Sequence, residues 1–314
     1  MADLRKLHLD GHRAPLTYHG KLLLDTHRMD AYERAIRALV RPGDVVLDVG
    51  GGTGILAMLA ARRGAARVHC VESMPVAEVA RELVAHNQLG DLVTIHRADM
   101  RALVPIEPVD LVIGDFLGAF LVDDMMLPAI AAAARWLAPG GRCCPSLVKL
   151  VVAPADVGVR ELEAFGAPYY GIDLSPAAAL GRRQSHRVDV SPAVLLASPA
   201  DYTTYAPPAV LERVDATMAF EVTRPGVLRA VVGWFEATLA PGVVLRSGPG
   251  YETHWGQYLW SVPPAAVEAG DRISIRLACP DTSAPVWRWG AEVRRADVLI
   301  AQATLDEDQS WLDE

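Results

Sequence analysis

The feature that most constrains the fold is an apolar run that breaks into glycines and then resumes as a helical pattern. The apolar run is Val45–Val49, the glycines lie in residues 50–54, and the helical pattern covers residues 56–63. An apolar run of this length indicates a buried parallel strand. Glycine at the bend permits positive φ and lets a ligand approach the backbone, and the following helix begins with unpaired N–H groups. The stretch therefore predicts the opening unit of a nucleotide-binding α/β domain.

The spacing of the glycines narrows the choice of ligand. Asp48, Gly50, Gly52 and Gly54 form D-x-G-x-G-x-G, the pattern of class I methyltransferases that use S-adenosylmethionine. A dinucleotide fingerprint reads G-x-G-x-x-G instead, and no G-x-x-x-x-G-K-S/T is present, which excludes a P-loop. The alternative is a structural glycine turn in another α/β enzyme.

Two further acids stand at the ends of predicted strands. Glu72 ends the next predicted strand, residues 67–72, which follows the helical pattern. This end of the strand lies at the sheet edge where open α/β folds bind ligands, so the Glu72 carboxylate can accept hydrogen bonds from both ribose hydroxyls. Asp99 and Met100 follow the next strand-like run, residues 92–96. In class I methyltransferases an acid at this place often meets the adenine amine, with the next backbone N–H on the ring. A helix N-cap is the alternative role of Asp99, because aspartate is favoured there.

Composition limits the partners only loosely. The 314 residues are 51% hydrophobic, enough for two domains and a large core. A formal net charge of -8 argues against nucleic acid and is compatible with a cationic substrate. We expect no signal peptide, no membrane span and no metal site. The four cysteines lack a C-x-x-C spacing, which favours reduced thiols and a cytoplasmic location.

The predicted elements change character near residue 150. Before it, strands alternate with helices, including an apolar helix over residues 127–137; after it, short β-like runs are separated by Gly and Pro clusters. We therefore predict an α/β fold, with a Rossmann-like seven-stranded class I methyltransferase domain followed by an antiparallel β-barrel or sandwich. The predicted boundaries are 1–40 for an N-terminal helical segment, 41–150 for the S-adenosylmethionine-binding domain, and 151–314 for the β-barrel domain with a helical insertion at about 172–196.

This order of parts resembles the protein arginine N-methyltransferases over nearly the whole chain. The most specific match is Thr-His-Trp at residues 253–255, a hallmark loop of the family's β-barrel domain. The pattern L-L-L-D-x-x-R-x-x-x-Y at residues 22–32 is similar to the family's helix that folds over the cofactor. Residues 137–141 and 169–175 also match, the latter at the entry to the family's dimerisation arm.

The resemblance implies roles for residues whose spacing alone is ambiguous. Arg28 would hold the methionine carboxylate of S-adenosylmethionine, and His19 would lie near the cofactor. His254 would pack against the active site and pair with Asp25. Without the resemblance, Asp25 and Arg28 read as a surface ion pair at i, i+3, and His254 as a core histidine.

One departure from the family concerns the acceptor. The loop in which the family has two glutamates carries Asp115 and Asp124 at the same spacing. A guanidinium binds carboxylates bidentately, but each arm here is one methylene shorter. Either the acceptor sits deeper, the loop closes further, or the pair binds another cation such as an amidine or amine. The acid that the family often uses for adenine has no clear match near Arg101, so we assign that role to Asp99.

These inferences give one set of site residues. The predicted catalytic residues are Asp25, Asp115, Asp124 and His254. The predicted cofactor-binding residues are His19, Arg28, Asp48, Gly50, Gly52, Gly54, Glu72, Asp99 and Met100.

The predicted reaction transfers a methyl group from S-adenosylmethionine, leaving S-adenosylhomocysteine, to a guanidino group of protein arginine, free arginine or a guanidino metabolite. The alternatives are a small-molecule methyltransferase for another amine or nucleophile, and a non-catalytic relative of the same fold. The intact donor-binding residues argue against the last. The resemblance also implies a homodimer formed through the insertion.

Overall fold

The first half of the chain forms a parallel sheet. The computed structural model describes residues 16–122 and 126–307. The first five strands are β1 (Val45–Val49), β2 (Arg67–Glu72), β3 (Val93–Arg97), β4 (Val109–Gly114) and β5 (Leu137–Cys144). They pair in the order β3-β2-β1-β4-β5. The order reverses between β1 and β4, so the carboxyl ends of these two strands flank the crevice where such sheets bind ligands.

Helices cover the parallel sheet, so its central strand is not exposed to water. All five residues of β1 are buried. The helices of this part are α1 (Leu16–Leu24), α2 (Thr26–Leu39), α3 (Ile55–Arg62), α4 (Val76–His86) and α5 (Leu127–Ala133). None of the helices in the described ranges is long and apolar enough to cross a membrane.

The N-terminal helical segment consists of two helices with unlike surroundings. Asp25 separates them, because its Oδ1 accepts a hydrogen bond from the backbone N–H of Arg28 at 2.9 Å and caps α2. No residue of α1 is buried, whereas α2 buries Arg28 and Tyr32 together with three apolar residues. The position of α2 is therefore fixed by packing, and α1 lies on the surface of the cofactor domain.

The end of the predicted apolar helix is wrong. The helix stops at Ala133, a 3-10 turn follows over Ala134–Trp136, and β5 begins at Leu137. Pro139 therefore lies in a strand. A proline is tolerated there because β5 is an edge strand of the parallel sheet, where a missing N–H can face away from the neighbouring strand.

The remaining strands form two antiparallel sheets, which confirms the predicted fold class. They are β6 (Leu147–Ala155), β7 (Ser185–Val188), β8 (Ala200–Tyr205), β9 (Val214–Glu221), β10 (Gly226–Ala240), β11 (Val243–Arg246), β12 (Gln257–Val267), β13 (Arg272–Cys279), β14 (Arg288–Arg295) and β15 (Val298–Asp306). One sheet has the order β7-β12-β10-β6-β8, with β11 also paired to β10, and the other β15-β14-β13-β9.

The parallel sheet has five strands in the described ranges, where seven were expected. After β5 the chain passes through the cis Cys144–Pro145 bond into β6. β6 then pairs with β10 and β8 in the antiparallel domain. The strand that could have extended the first sheet therefore begins the second domain, with β10 and β8 on either side of it.

A loop from the parallel sheet joins the two domains. Phe120, six residues after β4, packs its ring 5.0 Å from that of Trp260 and 5.6 Å from that of Trp287, centroid to centroid. All three side chains are fully buried. The loop that begins at Asp115 is thus anchored at Phe120 in the core of the antiparallel domain.

The predicted insertion is divided between the surface and a sheet. Helices α6 (Arg160–Glu163) and α7 (Ser175–Gly181) contact each other outside the sheets. β7, which the sequence placed in the insertion, pairs with β12, and Leu196 is completely buried. The segment outside the sheets that precedes β7 is residues 156–184. The predicted insertion at about 172–196 extends beyond this segment and includes β7 and the buried Leu196.

Candidate active site

A cavity lies along the glycine bend after β1. Gly50, Gly52 and Gly54 adopt φ of +71°, +56° and +77°, values that strongly favour glycine. A Cβ on Gly52 would lie 3.1 Å from Nδ1 of His19. The cavity has a volume of ≈ 420 Å³, in the range of small-molecule sites.

Most of the predicted cofactor residues lie in the wall of this cavity. The wall contains His19, Arg28, Gly50, Gly52, Glu72, Asp99, Met100 and also Asp115. α1 contributes further residues, among them Tyr18 and Leu22. The wall thus combines a glycine surface for close approach with carboxylates and the two guanidinium groups of Arg28 and Arg101.

Glu72 is held in a fixed orientation at the end of β2. The backbone N–H of Gly52 donates to its Oε2 at 2.9 Å, and that of Met74 donates to its Oε1 at 2.7 Å. A carboxylate has about four lone-pair sites, so two remain for other donors. Glu72 therefore fits the ribose diol of S-adenosylmethionine, which supplies two hydroxyl donors.

Asp48 lies behind the bend and not in the cavity wall. It is fully buried, and its Oδ2 accepts a hydrogen bond from the N–H of Ala57 at 3.1 Å, in the first turn of α3. Burial raises its pKa to about 7, while the Ala57 N–H and the Cys70 thiol stabilise the carboxylate. Asp48 therefore joins β1 to α3. Gly54, the residue at the N-cap of α3, is likewise outside the wall.

Asp99 makes a local turn instead of capping a helix. Its Oδ1 accepts from the backbone N–H of Arg101 at 2.9 Å, and the Arg101 guanidinium donates to both its oxygens. The hydrogen bonds from Arg101 lower the pKa of Asp99. Its side chain is 40% exposed at the cavity wall. Asp99 is therefore an ionised acceptor at the position assigned to adenine.

The second half of the site centres on an ion pair that the sequence did not predict. Nε of Arg28 donates to Oδ2 of Asp115 at 2.5 Å, and Arg28 is only 5% exposed. Burial opposes the charge on Arg28, but the charge of Asp115 and its hydrogen bond raise the pKa of Arg28 above its ordinary value. The two residues assigned to donor and acceptor are thus bound to each other.

Tyr32 completes this group, and sequence analysis assigned it no role. Its hydroxyl donates to the carbonyl oxygen of Gly114 at 3.1 Å and lies 3.5 Å from Oδ1 of Asp115. Burial and the nearby Asp115 raise the pKa of Tyr32 well above its ordinary value, so the hydroxyl stays protonated. Its spacing of one helical turn from Arg28 was the available signal.

Asp25 and His254 meet although 229 positions separate them in the chain. Nδ1 of His254 lies 2.8 Å from Oδ2 of Asp25, and the His254 backbone N–H donates to the same oxygen at 2.9 Å. Burial opposes ionisation of Asp25, but the hydrogen bonds from His254 and Arg28 lower its pKa. The loop of the antiparallel domain is therefore joined to the N-terminus of α2, which carries Arg28. Asp124, the fourth predicted catalytic residue, lies outside the described residues.

Comparisons with known proteins match the chain to methyltransferases. Residues 46–141 match a family model described as a methyltransferase domain. The chain is 31% identical to the protein arginine N-methyltransferase PRMT10 of Oryza sativa subsp. japonica, over 82% of this chain and 79% of that protein. It is 30% identical to the arginine N(omega)-methyltransferase of Streptomyces achromogenes subsp. streptozoticus, over 84% of this chain and 76% of that protein.

Solved structures agree in fold. Protein arginine methyltransferase 10 of Arabidopsis thaliana superposes with a TM-score of 0.82 at 25% identity, over 94% of this chain and 99% of that one. The PRMT1 enzyme–prozyme heterotetrameric complex of Trypanosoma brucei with AdoHcy gives a TM-score of 0.85 at 25% identity, with the same coverage. The chain therefore belongs to the arginine N-methyltransferases and is an S-adenosylmethionine-dependent methyltransferase.

Proposed function

We propose that this enzyme transfers the methyl group of S-adenosylmethionine to a nitrogen of a guanidino group. The observation that carries the proposal is the 2.5 Å contact between Asp115 and Arg28 in the donor cavity. A carboxylate that already binds the protein's own guanidinium has the geometry to bind that of an acceptor. The names of the relatives in rice and Streptomyces support the same acceptor class.

Asp115 would orient the acceptor and redistribute its charge. The sulfonium of the donor supplies an activated methyl group. A guanidinium is a weak nucleophile because its lone pairs are delocalised. Asp115 draws positive charge to the nitrogen it contacts, which leaves more lone-pair character on the nitrogen that reacts. Orientation of this kind contributes roughly 7–11 kcal/mol to catalysis.

The proton released from the acceptor would leave through His254. Asp25, kept ionised by its hydrogen bonds, fixes the tautomer and the direction of the imidazole through Nδ1. The imidazole of His254 then serves as the general base. Asp124 is the second acid of the acceptor loop in this proposal, as binder of the guanidinium and as an alternative proton acceptor.

Removal of the charge on Asp115 tests the proposal. Asp115→Asn should lower methyl transfer by about a hundredfold or more without weakening the binding of S-adenosylhomocysteine in calorimetry. Asp30→Asn, on the exposed side of α2, is the matched control and should leave both unchanged. Wild-type turnover by Asp115→Asn would contradict the proposal.

The acceptor itself is best identified by mass spectrometry. The enzyme should methylate at least one of L-arginine, arginine-containing peptides and small guanidino compounds. Product formed only from simple amines would favour the alternative small-molecule function.

The double variant Asp115→Glu with Asp124→Glu tests whether the length of the two acidic side chains determines the acceptor. Gain of peptide methylation would identify the aspartates as specificity determinants.

The proposed homodimer would form through the segment outside the sheets. Four large apolar side chains are exposed there: Tyr169, Tyr170, Ile172 and Leu180, with Tyr170 at 90%. Apolar patches of this kind mark interfaces, and the Trypanosoma brucei relative forms an oligomeric complex. Light scattering at micromolar concentration should give a dimer mass.

Substitutions in the segment sharpen this test. Tyr170→Ser with Ile172→Ser should give a monomer. Val104→Ser, an equally exposed apolar residue elsewhere, is the control and should leave the dimer intact. A monomeric wild-type protein would refute the proposal.

We further propose that the protein is located in a reducing compartment such as the cytoplasm. The four cysteines are unbridged. Burial raises the pKa of the thiols of Cys70, Cys143 and Cys144, which keeps them protonated and unreactive. These thiols need no oxidising environment for the fold.

A further inference from the structure

The antiparallel domain carries a second cavity, with a volume of ≈ 410 Å³. This volume lies in the range of small-molecule sites. None of the described residues in its wall also lines the donor cavity. The polar part of the wall consists of three arginines, two aspartates and a threonine: Arg213, Arg276, Arg288, Asp215, Asp306 and Thr304. The proposed methyl transfer uses none of these six residues.

The cavity lies on the outer face of the sheet β15-β14-β13-β9. Side chains along a strand point alternately to the two faces of its sheet. Trp289 of β14 is only 1% exposed, and its Nε1 donates to a carbonyl oxygen within the domain. Its neighbours Arg288 and Gly290 therefore lie on the outer face. The register of β13 with β14 places Arg276 and Ala278 on the same face.

Long and small residues occupy alternate positions on this face. Across β13 and β14, Ala278 pairs with Arg288, and Gly290 pairs with Arg276. The two arginines are therefore diagonal to each other, and the two small residues lie on the other diagonal between them. Thr304 of β15 pairs with Gly290 and adds a hydroxyl at the rim. This arrangement leaves a trough in which a flat group can lie against the backbone.

The hydrogen bonds within the wall leave one positive charge in excess. Nε and Nη2 of Arg276 donate to the two oxygens of Asp215 at 3.0 and 2.8 Å. Nε of Arg288 lies 3.4 Å from Oδ1 of Asp306. The hydrogen bond from Arg276 lowers the pKa of Asp215, and the charge of Arg213 contributes to this. Arg213 itself hydrogen-bonds to no residue that the structure describes.

From this arrangement we infer that the cavity binds a small planar organic anion. The ring of the ligand lies over Ala278 and Gly290, and its anionic group accepts hydrogen bonds from Arg213. Nη1 of Arg276 is available as a further donor, since Nε and Nη2 are used by Asp215. Guanidinium groups bind anions through several donors and also stack on aromatic rings.

A cationic ligand is disfavoured because an arginine already neutralises each carboxylate of the wall. The excess of positive charge is local, since the chain as a whole has a net charge of -8. The inference does not depend on the proposed function, because the residues of the two sites are separate.

Calorimetry with phenyl phosphate tests the inference. The enzyme is first saturated with S-adenosylhomocysteine, so that the probe does not report on the donor cavity. We expect one saturable site per chain with a dissociation constant of about 1 mM or lower. Inorganic phosphate, which lacks the ring, and benzylamine, which has the opposite charge, should bind about tenfold more weakly or less. Absence of saturable binding by phenyl phosphate, or equal binding of either control compound, would overturn the inference.

Three variants locate the bound probe. Arg213→Gln removes the unpaired guanidinium and should weaken phenyl phosphate binding about tenfold. Ala278→Leu fills the trough without changing its charge and should weaken binding to a similar extent. Arg272→Gln is the matched control, because Arg272 is an exposed arginine on the same face of β13 and lies outside the cavity wall. It should bind the probe like wild type.

Binding of S-adenosylhomocysteine shows that each variant is folded. Wild-type affinity for phenyl phosphate in a folded Arg213→Gln enzyme would overturn the inference, whatever the result for Ala278→Leu. An equal loss of affinity in Arg272→Gln would also overturn it, because the probe would then be attracted to the charged face in general.

Discussion

The proposed donor half and the proposed acceptor half of the site are built in different ways. The donor half comes from strand ends of a single parallel sheet, at Gly50, Glu72 and Asp99, within about fifty residues of chain. The acceptor half combines Asp115 after β4 with Asp25 at the cap of α2 and His254 from the antiparallel domain. The first is set by local sequence and strand register, whereas the second exists only when two domains and the N-terminal helices are docked.

This difference predicts which substitutions should affect one half of the site without affecting the other. A change at the junction of the domains should damage acceptor chemistry and leave the nucleoside site in place. A change beneath the glycine bend should do the reverse. Each of the following experiments tests this separation.

The largest effect is expected at Asp25. Asp25→Ala removes the cap of α2 and both hydrogen bonds to His254, which should lower the free energy of unfolding by about 3 kcal/mol. Urea denaturation measures the loss, and transfer should fall with it. Asp25→Asn retains an oxygen for the cap and is the milder control. Loss of 5′-methylthioadenosine binding by a folded Asp25→Ala enzyme would show that the two halves are not separable.

The next effect concerns the pH dependence of stability through Asp48. Its folded-state pKa of about 7 exceeds the ordinary value of 3.8, so the native state retains a proton that the unfolded chain loses. The stability due to this proton is fully present below pH 4 and is lost as the pH rises towards 7. Asp48→Asn avoids that loss. Its stability relative to wild type should therefore increase by about 2–3 kcal/mol between pH 5 and pH 8.

Urea denaturation of both proteins at the two pH values measures this difference. A difference that does not change with pH would place the titrating group elsewhere. The acceptor half should take no part in this effect, since Asp25 has a lowered pKa.

A smaller effect is expected beneath the glycine bend. A Cβ on Gly51 would lie 2.2 Å from Sγ of Cys70, so Gly51→Ala should cost about 1–3 kcal/mol of unfolding free energy and weaken S-adenosylhomocysteine binding. Cys70→Ala in the same chain should restore much of both. Gly90→Ala, where no atom lies within 4 Å of the added Cβ, is the control. Failure of the second substitution to rescue the first would contradict this packing account.

The smallest effect is expected at Asp99. Asp99→Asn should raise the dissociation constant of S-adenosylhomocysteine about three- to tenfold, the effect of one hydrogen bond, with little change in unfolding. Arg101→Gln removes the partner and keeps the acid, so its affinity should stay near that of wild type. An unchanged affinity in Asp99→Asn would remove the residue from the donor half.

The donor half was predictable because its information is local. The range of β1 follows directly from an apolar run, and the D-x-G-x-G-x-G spacing locates the cavity. The same reasoning did not place Asp48 behind the bend, since strand alternation alone does not say which side a helix covers. Nor did it find that β5 contains Pro139, because edge position depends on the order of the strands.

The acceptor half was accessible mainly through the family resemblance. The pairing of Asp25 with His254 joins positions too distant for any periodicity to relate, and the resemblance supplied it. The contact between Arg28 and Asp115 was missed because each residue already had a role towards a ligand. The predicted insertion includes β7 and Leu196 because the pattern of the sequence did not reveal that β7 pairs with β12 and that Leu196 is buried.

The packing of Phe120 in the core of the antiparallel domain has a consequence for how substrate specificity can change in this fold. Four residues connect Phe120 to Asp115, so the packing of the antiparallel domain limits where the Asp115 carboxylate can lie. Repacking around Trp260 or Trp287 would move the Asp115 carboxylate without altering any residue in the cavity wall. Selection for new acceptors can therefore act on tryptophans that do not line the cavity.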